Sequence, residues 1–121
     1  MARVDIDRHE MRVRFSLLER LATWRGEVLV PLTAVREVAV LERPVSHARG
    51  GRTGLLISGV LKIGIWGLGT EHRQLVSVRR QTPALRVRID RAATGHGFDE
   101  LLISTPRAAE LAQRVASPAR M

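Results

Sequence analysis

The chain has 121 residues, no cysteine and a formal net charge of +8, with 45% hydrophobic and 3% aromatic residues. That length suits one compact domain over 1–121 and is short for two; the missing cysteines exclude disulfides, thiolate zinc sites and thiol nucleophiles. Nineteen of the twenty basic residues are arginine, a balance that favours polyanions such as nucleic acid, anionic lipid headgroups or an acidic partner.

The opening Met1-Ala2-Arg3-Val4-Asp5-Ile6-Asp7 alternates charge and lacks the apolar core of a secretory signal. The longest apolar stretch, 55–68, is interrupted by Lys62 and by glycines and falls short of the ~20 residues a bilayer span needs. A soluble, cytoplasmic protein is expected.

In chain order, Val4 and Ile6 alternate with charges, as do Met11, Val13 and Phe15 with Arg12 and Arg14. Period-two patterning marks half-buried strands, so 3–7 and 11–15 read as a hairpin joined by Arg8-His9-Glu10. Ser16, with Glu19 three residues on, has the spacing of a capping box and predicts a short helix near 16–24. Leu17, Leu18 and Leu21 are expected on its inner side, and Gly26 stops it. Short strands follow at 27–30, ended by Pro31, and at 35–42. The segment 43–54, rich in Pro, Ser, Gly and Arg, reads as the longest and most mobile loop. The run 55–67 reads as an apolar strand with Gly59 and Gly64 marking bulges or close backbone approach.

A turn over 67–72 leads to a strand over 73–80, and Thr82-Pro83 breaks the chain again. Leu85, Val87 and Ile89 alternate with Arg86 and Arg88, which predicts a sheet with one wet face. A strand over 98–104 follows. Thr105-Pro106 has the form of an N-cap with proline at the first helical position, and Ala108, Leu111, Ala112 and Val115 recur at helical spacing over 106–116. Seven or eight strands, one early helical turn and one amphipathic closing helix predict a mainly β fold: a bent antiparallel sheet or barrel capped by the helix.

Val28-Leu29-Val30-Pro31-Leu32 with 35–40, then Lys62-Ile63-Gly64-Ile65-Trp66-Gly67, then 75–79 before Pro83-Ala84-Leu85-Arg86-Val87, and finally 98–106 with its helix, resemble the small bacterial pleckstrin-homology-like (PH-like) domain proteins. The likeness covers nearly the whole chain and is one of pattern and order. It implies a two-sheet barrel of about seven strands with a C-terminal helical cap. It also implies a binding module without enzymatic activity, since eukaryotic PH domains take phosphoinositides or peptides. The chain departs from that pattern in the insert at 16–24 and in lacking a tryptophan in the closing helix.

The resemblance also singles out Arg8, in the first hairpin, with Arg12 and Arg14 on the second strand, as an anion-binding set. Arg12 and Arg14 fall on one side of a strand, where two guanidiniums could fork onto one phosphate; the alternative is a solvated strand face, and Arg86 and Arg88 repeat the spacing. His9, His47, His72 and His96 are far apart, all in loops or turns, so no metal site and no cofactor is expected. No G-x-S-x-G, phosphate-binding glycine loop or H-E-x-x-H is present, and Gly50-Gly51-Arg52-Thr53-Gly54 lacks the P-loop lysine; no catalytic residues are expected. Stacking aromatics for single-stranded nucleic acid are scarce, with Phe15 and Phe98 on core faces and Trp24 and Trp66 as packing anchors. The expected function is binding of a protein or peptide partner or of further copies through 55–68. Anionic lipid and weak, salt-dependent nucleic-acid binding are the alternatives.

Overall fold

The computed structural model describes residues 2–23, 25–43, 51–57, 60–68, 72–94 and 97–115. Strand β1 (Arg3–Ile6) pairs antiparallel with β2 (Glu10–Arg14), in the register Val4↔Val13 and Ile6↔Met11. The turn between them is fixed by Asp7, whose Oδ1 accepts the backbone N–H groups of His9 (2.7 Å) and Glu10 (2.8 Å); such side-chain mimicry of a turn is why aspartate suits this place. Helix α1 (Leu17–Thr23) leads from β2 to β3 (Glu27–Pro31), and Phe15 N–H donates to Gly26 O at 2.9 Å, closing the neck of that excursion. β3 then pairs with β2, bringing Val28 opposite Val13 and Val30 opposite Met11. The alternation read from the sequence therefore yields a three-stranded sheet with one buried apolar face and one face of Arg3, Asp5, Arg12, Arg14, Glu27 and Leu29.

After a 3₁₀ turn at Leu32–Ala34, β4 (Val35–Leu41) enters a second sheet with β5 (Gly51–Ile57), β6 (Leu61–Leu68), β7 (Gln74–Arg79), β8 (Ala84–Ile89) and β9 (Glu100–Ser104). Its spatial order is β4-β8-β9-β7-β6-β5. Chain neighbours β7 and β8 are not sheet neighbours: β9 returns to fill the place between them, antiparallel to β8 and parallel to β7. The expected purely antiparallel sheet is corrected on this point. The reason is legible in β9, whose five residues Glu-Leu-Leu-Ile-Ser are all buried; a strand covered on both faces belongs at the centre of a sheet.

Nine strands in two sheets stand where about seven were expected, and the sheets do not close into a barrel among the described residues. Two expected segments are redrawn. The 55–67 run is shared between β5 and β6, which pair antiparallel with Ile57 opposite Leu61, Gly59 lying outside the described residues; β5 starts at Gly51, which takes 51–54 out of the expected 43–54 loop. Residues 44–50 lie outside the described residues.

The main core forms between the inner face of the first sheet, one face of the second and the closing helix α2 (Ala108–Val115), with Met11, Val30, Leu75, Leu101 and Leu111 all at 0% exposure. Each such side chain contributes roughly 1.5–3 kcal/mol on leaving water. Helix α2 starts as its sequence predicts: Thr105 Oγ1 accepts Arg107 N–H at 3.2 Å and Thr105 O accepts Ala108 N–H at 3.1 Å. It lies across β4 and β8 and reaches β1, where the Arg114 guanidinium donates to Ile6 O at 2.7 Å.

The far face of the second sheet is not simply wet. Trp66, Val76, Val78, Ala84 and Leu102 form a second buried cluster there, with Leu41 against it. The expectation of one wet face fails because Arg86 is half-buried against Glu100 and the neighbouring residues of that face are apolar.

Candidate functional site

Helix α1 is folded with the opposite side inward from the one its leucines suggest. Leu17, Leu18 and Leu21 are 73%, 46% and 70% exposed, whereas Glu19 and Thr23 are fully buried. The physical reason begins with the cap. Ser16 N–H donates to Glu19 Oε1 at 3.0 Å while Glu19 N–H reaches back to Ser16 Oγ at 3.5 Å, the reciprocal capping box its spacing predicts. The other carboxylate oxygen of Glu19 accepts the hydroxyl proton of Ser77, on β7. Thr23 Oγ1 donates to Glu19 O at 2.7 Å, one turn along the same side. At 100° per residue, Leu21 stands about 200° round the helix from Glu19. One of the two sides must face solvent, and the hydrogen-bonded side is the one that is held.

Beside this apolar ridge lies an open hollow of about 430 Å³ lined by Arg20, Leu21, Arg25 and Gly26. Arg25 is steadied from below: its Cζ sits 4.7 Å from the centre of the Phe98 ring and its Nη1 donates to Thr23 O at 3.2 Å. The described residues lining the hollow include no carboxylate. The arrangement offers exposed aliphatic surface between two guanidiniums, a combination suited to an apolar group that carries negative charge nearby. Trp24, expected as a packing anchor, lies outside the described residues.

Arg12 and Arg14 do share the outer face of β2, but a carboxylate stands between them. Glu27 Oε2 is 3.8 Å from Arg12 Nε and 3.9 Å from Arg14 Nε, and Glu10 Oε1 is 3.5 Å from Arg12 Nη2. Arg8 is exposed in the preceding turn. The three expected anion-binding residues thus lie along one hairpin, two of them already facing acids. Of the repeated pair, Arg88 faces Glu37 at 3.6 Å and Arg86 faces Glu100 at 2.6 Å.

The Glu100 cluster had no motif to announce it. Glu100, 3% exposed, accepts from Arg86 Nε at 2.6 Å and from Gln74 Nε2 at 2.5 Å, with His72 Nε2 3.5 Å away. Burial alone would raise its pKa; the bonds from Arg86 and Gln74 outweigh that and hold the carboxyl below its usual range. The one sequence signal was position: an acid opening the apolar run Leu101-Leu102-Ile103 must turn inward with a partner. A satisfied buried pair of this kind joins β7, β8 and β9 at one level.

Of the four histidines, His9 lies in the first turn and His72 beside Glu100, while His47 and His96 lie outside the described residues. Among the described residues no three His, Asp or Glu side chains group as a metal set, and no described helix is long and apolar enough to cross a membrane. Comparison with known proteins finds no family model, no curated protein and no solved structure that matches the chain.

Proposed function

We propose that this protein is a non-enzymatic interaction module whose contact surface is the leucine side of α1, and that it takes a protein or peptide segment combining apolar with acidic side chains. The observation that carries this reading is the exposure of Leu17 and Leu21 on a helix whose other side is held by Glu19 and Thr23. Three neighbouring exposed leucines on one short element are more than the scattered apolar exposure of an ordinary surface. The acidic character of the partner follows from Arg20 and Arg25 at the rim and from the net charge of +8, which also sets a second copy of this chain at a disadvantage.

Kinship with PH-like domains and a cytoplasmic setting belong to the same proposal. Two sheets with a C-terminal helix laid against them support the kinship; the parallel β7–β9 pair and the open sheets weigh against a close copy of the barrel plan. A second reading uses the same face on an anionic bilayer, with the leucines entering the acyl boundary and the arginines at the headgroups. The hollow beside Leu21 favours a segment with side chains to seat over a flat lipid surface.

Selection from a random peptide display library on the intact chain tests the proposal. Enrichment of peptides that combine Asp or Glu with Leu, Ile or Phe is the expected result. No enrichment, alongside retention on phosphatidylserine vesicles at physiological salt, would replace it with the bilayer reading.

A further inference from the structure

A separate hollow of about 460 Å³ opens where the β5–β6 hairpin meets the end of β7, lined by Val60, Leu61, Arg79, Arg80, Gln81 and Thr82. Its walls are fixed by the backbone: Arg80 N–H donates to Val60 O at 2.8 Å, joining the two segments, and Thr82 N–H donates to Arg79 O at 3.3 Å, closing the turn after β7. Arg79 and Arg80 are the one arginine doublet of the chain.

Two described arginines bury their Nε without a hydrogen-bond partner, Arg12 and Arg79. They differ in what surrounds them. Arg12 has the carboxylates of Glu10 and Glu27 at 3.5 and 3.8 Å. Arg79 is half-buried, and among the described residues no carboxylate forms an ion pair with it. A buried donor left unpaired costs about 1–3 kcal/mol, and Arg79, a lining residue of the hollow, carries such a donor at its Nε.

The donor set defines the kind of acceptor that fits. Two guanidiniums with no counter-charge among the described residues lining the hollow, a side-chain amide and a hydroxyl suit an oxyanion with several acceptor oxygens. A phosphate monoester carries about −1.5 to −2 near neutral pH and matches both arginines, where one carboxylate would leave a positive charge uncompensated. Val60, 47% exposed at the rim, and Leu61 give an apolar wall for the carbon skeleton that bears the phosphate.

We propose that this hollow binds a phosphate monoester, its oxygens held by Arg79 and Arg80 and its carbon skeleton laid against Val60 and Leu61. The site is distinct from the α1 face and does not depend on it.

The test is a titration of the intact chain with inorganic phosphate and with phenyl phosphate, following the side-chain Nε–H signal of Arg79 by NMR. A parallel co-sedimentation uses phosphatidylcholine vesicles with and without phosphatidic acid. Saturable movement of that signal, tighter for phenyl phosphate than for inorganic phosphate, is expected. Arg79→Gln and Arg80→Gln should each weaken phenyl phosphate by about tenfold or more, whereas the double variant Arg12→Gln/Arg14→Gln should bind as the parent does. Arg80 is exposed, so its variant reads the site even where Arg79→Gln perturbs folding. Binding of the free ester assigns a soluble ligand, and retention only on phosphatidic acid vesicles, lost in Arg80→Gln, assigns a headgroup. No saturation at millimolar ester together with no vesicle retention would overturn the proposal. So would binding that follows Arg12 and Arg14 instead of Arg79 and Arg80.

Discussion

The Glu19 carboxylate accepts the hydroxyl of Ser77 across 58 positions of sequence, beneath a helix whose leucines face solvent. That bond joins α1 to β7 and sets which side of the helix is presented. Glu19→Ala removes both the Ser77 partner and half of the capping box, and should destabilise the fold by about 1–3 kcal/mol in urea denaturation. A double-mutant cycle with Ser77→Ala should return a coupling of at least about 0.5 kcal/mol; strict additivity would mean the two side chains do not act together.

Gly67 is held in the left-handed region at φ +84°, and a Cβ there would stand 2.0 Å from the carbonyl oxygen of His72. Gly67→Ala therefore forces the end of β6 away from the start of β7, next to Trp66 and Gln74, which face each other in register. A loss of at least about 2 kcal/mol is expected, with a lowered thermal midpoint as the readout. Gly97, at the same φ but with open space around its Cβ position, should tolerate alanine better.

Glu100 supplies a pH dependence whose sign is set by its lowered pKa. The unfolded chain takes up this proton at a higher pH than the folded one. The stabilisation is therefore complete above the ordinary carboxylate pKa of about 4.3 and fades as pH falls from there through the folded value. Asp7 and Glu110, whose pKa values are also lowered, titrate in the same direction from exposed positions. The comparison that isolates Glu100 is the difference between the parent and Glu100→Gln, measured as urea midpoints from neutral pH downward. The variant should be weaker by about 3 kcal/mol at neutral pH, because Arg86 loses its counter-charge, and the gap should narrow in acid.

The residues where local and global demands agree were legible in advance. Val4, Ile6, Met11 and Val13 alternate in a sheet whose far face is wet, and Thr105-Pro106 starts a helix that then buries Ala108, Leu111 and Val115. The capping box of Ser16 and Glu19 was equally readable. What it concealed was orientation: leucine count argues for one side, while Ser77, invisible at that range, fixes the other. The return of β9 between β7 and β8 was hidden for a related reason, since a strand's neighbours are a matter of non-local pairing and its own residues report only burial. At Arg12 and Arg14 the spacing was correct and the incoming Glu27 from β3 was not foreseeable from the hairpin alone.

The central claim is that the leucines of α1 bind and do not hold the fold. One experiment reads both halves: fluorescence-polarisation binding of a library-selected acidic, apolar peptide to the parent and to Leu17→Glu/Leu21→Glu, with urea denaturation of the same samples. Exposed positions tolerate such changes within about 0.5 kcal/mol, whereas truncating a buried leucine costs about 2–5 kcal/mol. The account predicts an unchanged denaturation midpoint and binding weakened by about tenfold or more, roughly 1.4 kcal/mol. Equal binding by both proteins, or a collapsed midpoint in the variant, would contradict it.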